Sequence, residues 1–167
     1  MSAQTIYDTA PLGALIRTSD GKTKPPARFT KKLAAWERNN ATGRLIRKSP
    51  PFTRGTYTAA ATITLHEGDY SSHGVKVLTV HRTHDVNSAL HFEVVAVPKA
   101  GSCRILQSYG ETVELLHLAD DQAAAEAWLQ SNRYSGARIE RVGDIGEEFA
   151  GKFSDARALP LPTRETA

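Results

Sequence analysis

The stretch Thr56–His66, TYTAAATITLH, alternates along its whole length. Tyr57, Ala59, Ala61, Ile63 and Leu65 point one way. Thr56, Thr58, Ala60, Thr62, Thr64 and His66 point the other. A period of two is that of a strand with one face on a core and one in water. The pattern spreads outward from here. Val75–Arg82 and Leu90–Val97 repeat it, and Cys103–Ser108 and Thr112–Leu118 add a pair around Tyr109-Gly110. Polar or glycine-bearing connections at His66–Gly74 and Pro98–Ser102 predict turns, and short connections favour an antiparallel meander. Upstream, Leu12–Thr18 stops at the turn signal Ser19-Asp20-Gly21, and Arg44–Lys48 is a second short strand.

Two segments carry the helical period instead. Pro26 suits a first helical turn, where its missing N–H costs nothing. Phe29, Leu33 and Trp36 then fall at i, i+4 and i+7, a stripe expected to be buried. Further on, Asp120-Asp121 can cap a helix over AAAEAWLQ that buries Ala124 and Trp128, with Ala125 beside them. Ala137–Val142 fits a last strand, and Asp144–Phe153 a short helix with Ile145, Phe149 and Phe153 on one side. The fold class is therefore α+β: a mainly antiparallel sheet of about five to seven strands packed with two or three helices. Residues 1–54 form a basic strand–helix–strand section, and 55–153 an antiparallel sheet plus helices that joins the first in one compact unit. Residues 1–10 are expected to be loose and 154–167 to be a disordered tail.

Composition narrows the class of protein. A chain of 167 residues with 40% hydrophobic residues can bury a core without staples. Its single cysteine, Cys103, rules out an internal disulfide, and its place in an alternating strand suits a buried structural thiol better than a nucleophile. The first residues, MSAQTIYDTAPLGALIR, lack the basic-then-apolar pattern of a signal peptide. No run approaches the ~20 apolar residues of a membrane span. A cytoplasmic location with no membrane contact follows.

The net charge of +3 conceals an asymmetry. Residues 1–54 hold eleven Lys/Arg against three Asp/Glu, whereas the remainder holds ten against fifteen. Lysine and arginine beside phosphates release condensed counterions, which drives binding without reading sequence. Arg28, Lys31, Lys32 and Arg38 on the first helix, with Arg44, Arg47 and Lys48 on the following strand, could form one patch against a polyanion. No helix-turn-helix, RNP-like strand motif or zinc finger accompanies them, so binding would be led by the backbone. The competing view is a solvated helix face with edge-strand charges that prevent aggregation.

All six histidines lie between His66 and His117. His81-Arg82-Thr83, at the end of VLTVHRTHDV (Val77–Val86), contains the H-x-T tripeptide that two-histidine phosphodiesterases use twice, with paired imidazoles as acid and base. The apolar middle residue is replaced by Arg82, and the second copy is absent: His117-Leu118-Ala119 lacks the hydroxyl. His81 and His84 are three apart, which shares a face on a helix but not on a strand, and His84 falls in the expected turn. A set from His66, His81, His91 and Glu93 across neighbouring strands could approach a metal, but no metal or cofactor is expected. The plainer view places these side chains on the polar face of a sheet, with His117 partly buried beside Val113 and Leu115.

Ala10–Pro51, APLGALIRTSDGKTKPPARFTKKLAAWERNNATGRLIRKSPP, resembles small uncharacterised proteins of bacterial plasmids and integrative elements. VELLHLADDQAAAEAWL, Val113–Leu129, adds to the resemblance. It implies a cargo-type role in handling DNA during transfer or in interfering with host defence, and it carries over no catalytic residue. The expected function is a non-enzymatic nucleic-acid-binding accessory protein, with DNA favoured over RNA. The alternatives are a protein–protein interaction module, or inhibitor of a host factor, that offers its basic patch to an acidic protein surface, and a histidine-dependent phosphoesterase using His81 and His84.

Overall fold

The computed structural model describes residues 1–143. Along them run α1 (Ala3–Thr9), β1 (Leu15–Ser19), α2 (Thr30–Asn39), β2 (Thr42–Ser49), β3 (Phe52–Arg54), β4 (Tyr57–Ala59), β5 (Thr62–Ser72), β6 (Val75–Asp85), β7 (His91–Ala96), β8 (Cys103–Tyr109), β9 (Thr112–Ala119), α3 (Gln122–Ser131) and β10 (Arg138–Arg141). The fold is α+β. Eight strands, one more than the upper expectation, share one sheet, and β3 and β4 form a separate exposed hairpin. Every pairing is antiparallel.

Strand β2 is the hub. Arg44 pairs with Leu15 of β1 on one side and with His66 of β5 on the other. Further along, Arg47 pairs with Thr64 of β5 and with Glu114 of β9. One edge of β2 is therefore shared by β1 and β9, and the sheet forks there. From the fork, β1 leads to β7, β9 leads to β8 and β10, and β5 leads to β6. Strands β2 and β5, which lie on either side of Arg54-Gly55 in the chain, are neighbours in this one sheet.

The alternation around Ile63 and Leu65 does mark a buried face. Both are fully buried with Leu45, Ile16 and Phe92. What covers that face is residues 1–10, and here the expectation of a loose segment is overturned. Ser2 caps α1, its Oγ accepting from Thr5 N at 3.2 Å. Ala3, Ile6 and Ala10, at i, i+3 and i+7, are buried in the core. A seven-residue helix is too short to stand alone, so its order comes from packing. A second cluster of Cys103, Ile105, Ala119 and Ala125 lies under α3.

Four further expectations are corrected. The strand read as Thr56–His66 breaks after Ala59, and β5 restarts at Thr62. The turn read at His66–Gly74 is mostly strand: β5 runs to Ser72, and only His73 (φ 49°) and Gly74 (φ 79°) make a two-residue turn of the primed kind that matches strand twist. Helix α2 starts at Thr30, not Pro26, and buries none of its residues. Its stripe leans on the preceding loop, Trp36 Nε1 donating to Lys22 O at 2.7 Å, while Phe29 is 42% exposed. In α3 the Asp121 cap is present, Oδ1 accepting from Ala124 N at 2.8 Å, but Ala125 is the buried alanine, Ala124 is exposed and Trp128 is half-buried. The expected Asp144–Phe153 helix and the 154–167 tail lie outside the described residues.

His84 is not in a turn. It sits buried on β6 with its ring edge-on to Phe92, centroids 5.2 Å apart, and its Nε2 has no partner among the described residues. Burial, then Arg82, holds its pKa below the ordinary 6.5, with Glu67 opposing. The unfolded chain therefore binds more protons below that pH, so stability is full above about 6.5 and falls as acid is added. Thermal unfolding between about pH 7.5 and 5 should show this fall, and His84→Leu should flatten it. An equal fall in the variant would assign the effect to the other histidines.

Candidate functional site

Register, not sequence spacing, assembles the candidate site. Arg44 on β2 pairs with His66 on β5, and His66 pairs with His81 on β6. Laterally paired residues share a face, so a guanidinium and two imidazoles stand in one row across three strands. The two rings meet edge to face with centroids 5.5 Å apart. The row forms the floor of a groove of about 490 Å³. Ile46 and Leu115 give it an apolar base, and β9 and α3 supply its far wall.

Arg44, His66 and Asp69 are each anchored in the groove. Arg44 donates to Gly13 O at 2.7 Å. His66 Nε2 lies 3.0 Å from Asp69 Oδ1. The same carboxylate oxygen accepts from Thr79 Oγ1 at 2.8 Å, and Lys76 Nζ lies 2.7 Å from the other oxygen. Lys76 holds the Asp69 carboxyl well below the usual range, aided by Thr79 and His66 against a smaller opposing effect of burial. Asp69 is therefore a fixed negative charge behind His66. His81 is pushed the other way: burial first, then His66 and Arg47, lower its pKa, while Glu114 and Asp69 oppose. These effects favour the unprotonated imidazole, the form able to accept a proton.

On the far wall His117, Trp128 and Tyr134 stack in a column, with neighbouring centroids 5.0 and 5.5 Å apart and rings parallel to within 7°. Tyr134, at the outer end, is 46% exposed. Burial, then Arg44 and Lys76, lowers the pKa of His117, with Asp120 opposing.

The histidines named from sequence divide. His81 lies in the groove. His84, an odd number of residues away on the same strand, faces the core instead. His91 and Glu93 lie on β7, two strands from β2 on the other side of the fork, where Glu93 pairs with Arg17 at 3.2 Å. That separation removes them from any set with His66 and His81. Among the described residues no group of three or more His, Cys, Asp or Glu is arranged to hold a metal. Cys103 is fully buried.

The basic residues divide too. Arg28, Lys31, Lys32 and Arg38 are exposed on α2 and the loop before it. Arg28 and Lys32 flank the Phe29 ring at 4.8 and 5.4 Å, and Lys24 lies 5.6 Å from Trp36. None of these five cations has an acidic partner among the described residues. Asp20 pins α2 by accepting from Asn40 at 2.9 Å and Asn39 at 3.3 Å. The strand residues do not join this surface as one patch. Arg44 lines the histidine groove, and Arg47 pairs with Glu114 at 3.2 Å. Lys48 is turned inward, donating to Tyr7 O at 2.5 Å, and burial lowers its pKa against Asp8.

A second groove of about 730 Å³ separates α2 from the sheet, and Arg17, Lys24, Arg38, Trp36 and Tyr70 line it. The β5–β6 hairpin is a wall of both grooves: His66 and His81 face the first, Tyr70 and Arg82 the second. Sequence reasoning placed His66 with His81 only in a set that also held His91 and Glu93, and it missed Asp69, because the segment after His66 looked like a turn. No described helix is long and apolar enough to cross a membrane.

No curated protein and no solved structure matches this chain. A family model matches it over residues 1–145, and the chain belongs to the family described as uncharacterised conserved protein UCP036055.

Proposed function

We propose that the protein binds nucleic acid through α2 and the loop before it. The observation that carries this is the set Lys24, Arg28, Lys31, Lys32 and Arg38, all exposed and unmatched by acids among the described residues. Glu37 is the one acid on that helix. Exposed Phe29 stands among the cations, and the second groove adds Arg17, Trp36 and Tyr70. Cations that follow a backbone and rings that stack on bases are the parts a single strand needs. The resemblance to proteins of mobile elements extends this to an accessory role in the cytoplasm of a bacterial host.

Fluorescence anisotropy with labelled single-stranded and duplex oligonucleotides, titrated from low to moderate salt, tests it. Binding should weaken steeply with salt. Lys31→Glu/Lys32→Glu should lower affinity by at least about tenfold and flatten the salt slope, by roughly 0.7 on single strands or 0.9 on duplex for each phosphate no longer neutralised. Binding unchanged in the double variant would remove α2 from the interface. A second reading, a module for a protein partner, is favoured by the tip of the β5–β6 hairpin, where Tyr70, Val75, Val77 and Leu78 are each more than half exposed. Silence of every oligonucleotide at low salt would favour that reading.

A further inference from the structure

The histidine groove holds more than a binding surface needs. It contains two imidazoles side by side, a carboxylate fixed behind one of them, and the cations Arg44 and Lys76. We propose that this groove cleaves RNA by internal phosphoryl transfer, with His81 as general base and His66 as general acid; the proposal rests on the nucleic-acid-binding reading above.

The chemistry follows from what RNA carries. A ribose 2′-hydroxyl lies beside each phosphodiester, so the nucleophile comes with the substrate, and the site needs to move only two protons. His81 takes the 2′-hydroxyl proton as O2′ attacks phosphorus. The bond from phosphorus to the 5′-oxygen breaks, and His66 gives that oxygen a proton. The products are a 2′,3′-cyclic phosphate and a 5′-hydroxyl. The electron pair of the broken bond leaves with the 5′-oxygen, and one proton is taken up for each given out. His81 and His66 then exchange protons with water to reset.

The geometry assigns these roles. Burial in the groove floor and the paired His66 ring beside it favour the unprotonated form of His81, with Glu114 and Asp69 opposing, as a base requires. Asp69, 3.0 Å from His66 Nε2, fixes that ring and leaves its other nitrogen to serve the leaving group. Arg44 and Lys76 border the space where charge grows on the phosphoryl oxygens, and Arg44 is already anchored to Gly13. Tyr134, at the exposed end of the aromatic column, offers a face for a base next to the scissile bond. The β5–β6 hairpin stands between this groove and the one beside α2, so a strand that occupies both passes over the hairpin.

The experiment incubates a short unstructured RNA, its all-2′-deoxy counterpart and a 2′-O-methyl counterpart with the full chain in EDTA. Products are resolved by mass, and anisotropy is read on the same samples. His66→Asn and His81→Asn are compared with His91→Ala, an exposed histidine on β7 away from the groove. Expected are RNA fragments ending in a 2′,3′-cyclic phosphate, both modified strands intact, and a rate at least about 100-fold lower in each groove variant with affinity retained. His91→Ala should cut at the unaltered rate. RNA that is bound but stays whole overturns cleavage and leaves the binding reading standing. Neither binding nor cutting removes both. Cutting of the deoxy strand, or undiminished cutting by folded His66→Asn and His81→Asn, also overturns the proposal. The modified strands need no variant, so the test survives a histidine substitution that fails to fold.

Discussion

Phe92→Ala should lower stability by about 3–5 kcal/mol, read as a shifted midpoint in urea at unchanged slope. Phe92 is 1% exposed and is the largest fully buried side chain among the described residues. It belongs to the buried cluster that also holds Ala3 and Ile6 of α1, Leu45 of the hub, and Ile63 and Leu65 of β5. Its backbone N–H also donates to Met1 O at 2.9 Å, tying β7 to the start of the chain just before α1. The ring is the edge-on neighbour of His84, so its loss leaves that imidazole beside a void. A cost under ~1 kcal/mol would mean that α1 collapses into the space, which places the main core elsewhere.

Gly43→Ala should cost about 1–3 kcal/mol by overpacking and should also disturb the histidine row. Gly43 lies on β2 where β1 and β5 both pair with it or its neighbours. A methyl group there would stand 2.9 Å from Leu65 Cβ and 3.0 Å from the His66 carbonyl oxygen. Neither atom is the end of a flexible side chain, so β2 and β5 must part. Because His66 is the residue displaced, an NMR titration of the histidine ring protons should show shifted signals for His66 and His81, with His91 unchanged. Unaltered stability and unaltered rings would show that the two strands have slack at this point.

Sequence alone was informative where burial is local. The alternation of Ile63 and Leu65, and of Phe92 and Val94, located the core face, and Asp121 marked the start of α3. It failed where a distant partner decides. Ala3, Ile6 and Ala10 have a helical spacing, but so short a helix is ordered only by a sheet that the spacing does not reveal. The stripe of Phe29, Leu33 and Trp36 looked like core and instead leans on the loop carrying Lys22, because no sheet strand lies beneath it. The polar run His66–Asp69 resembled a turn, yet it is strand, since the pairing of β5 with β6 satisfies its backbone. The site followed the same logic. His81 could be named with His84, which strand geometry sends to the other face, and with a wider set of His66, His91 and Glu93, of which only His66 stays beside it. His66 joins His81 through register, which no local pattern encodes.

The fork at β2 also sets an order of events during synthesis. Ile16 of β1 pairs with Val94 of β7, so the strand made first waits for one made far later. Until β7 leaves the ribosome, β1 has one edge unpaired and α1 lacks the Phe92 ring that seats it. The hairpin of β5 and β6, joined by a two-residue turn, can close much earlier. The nascent chain should therefore close the β5–β6 hairpin before α1 and β1 are locked in place.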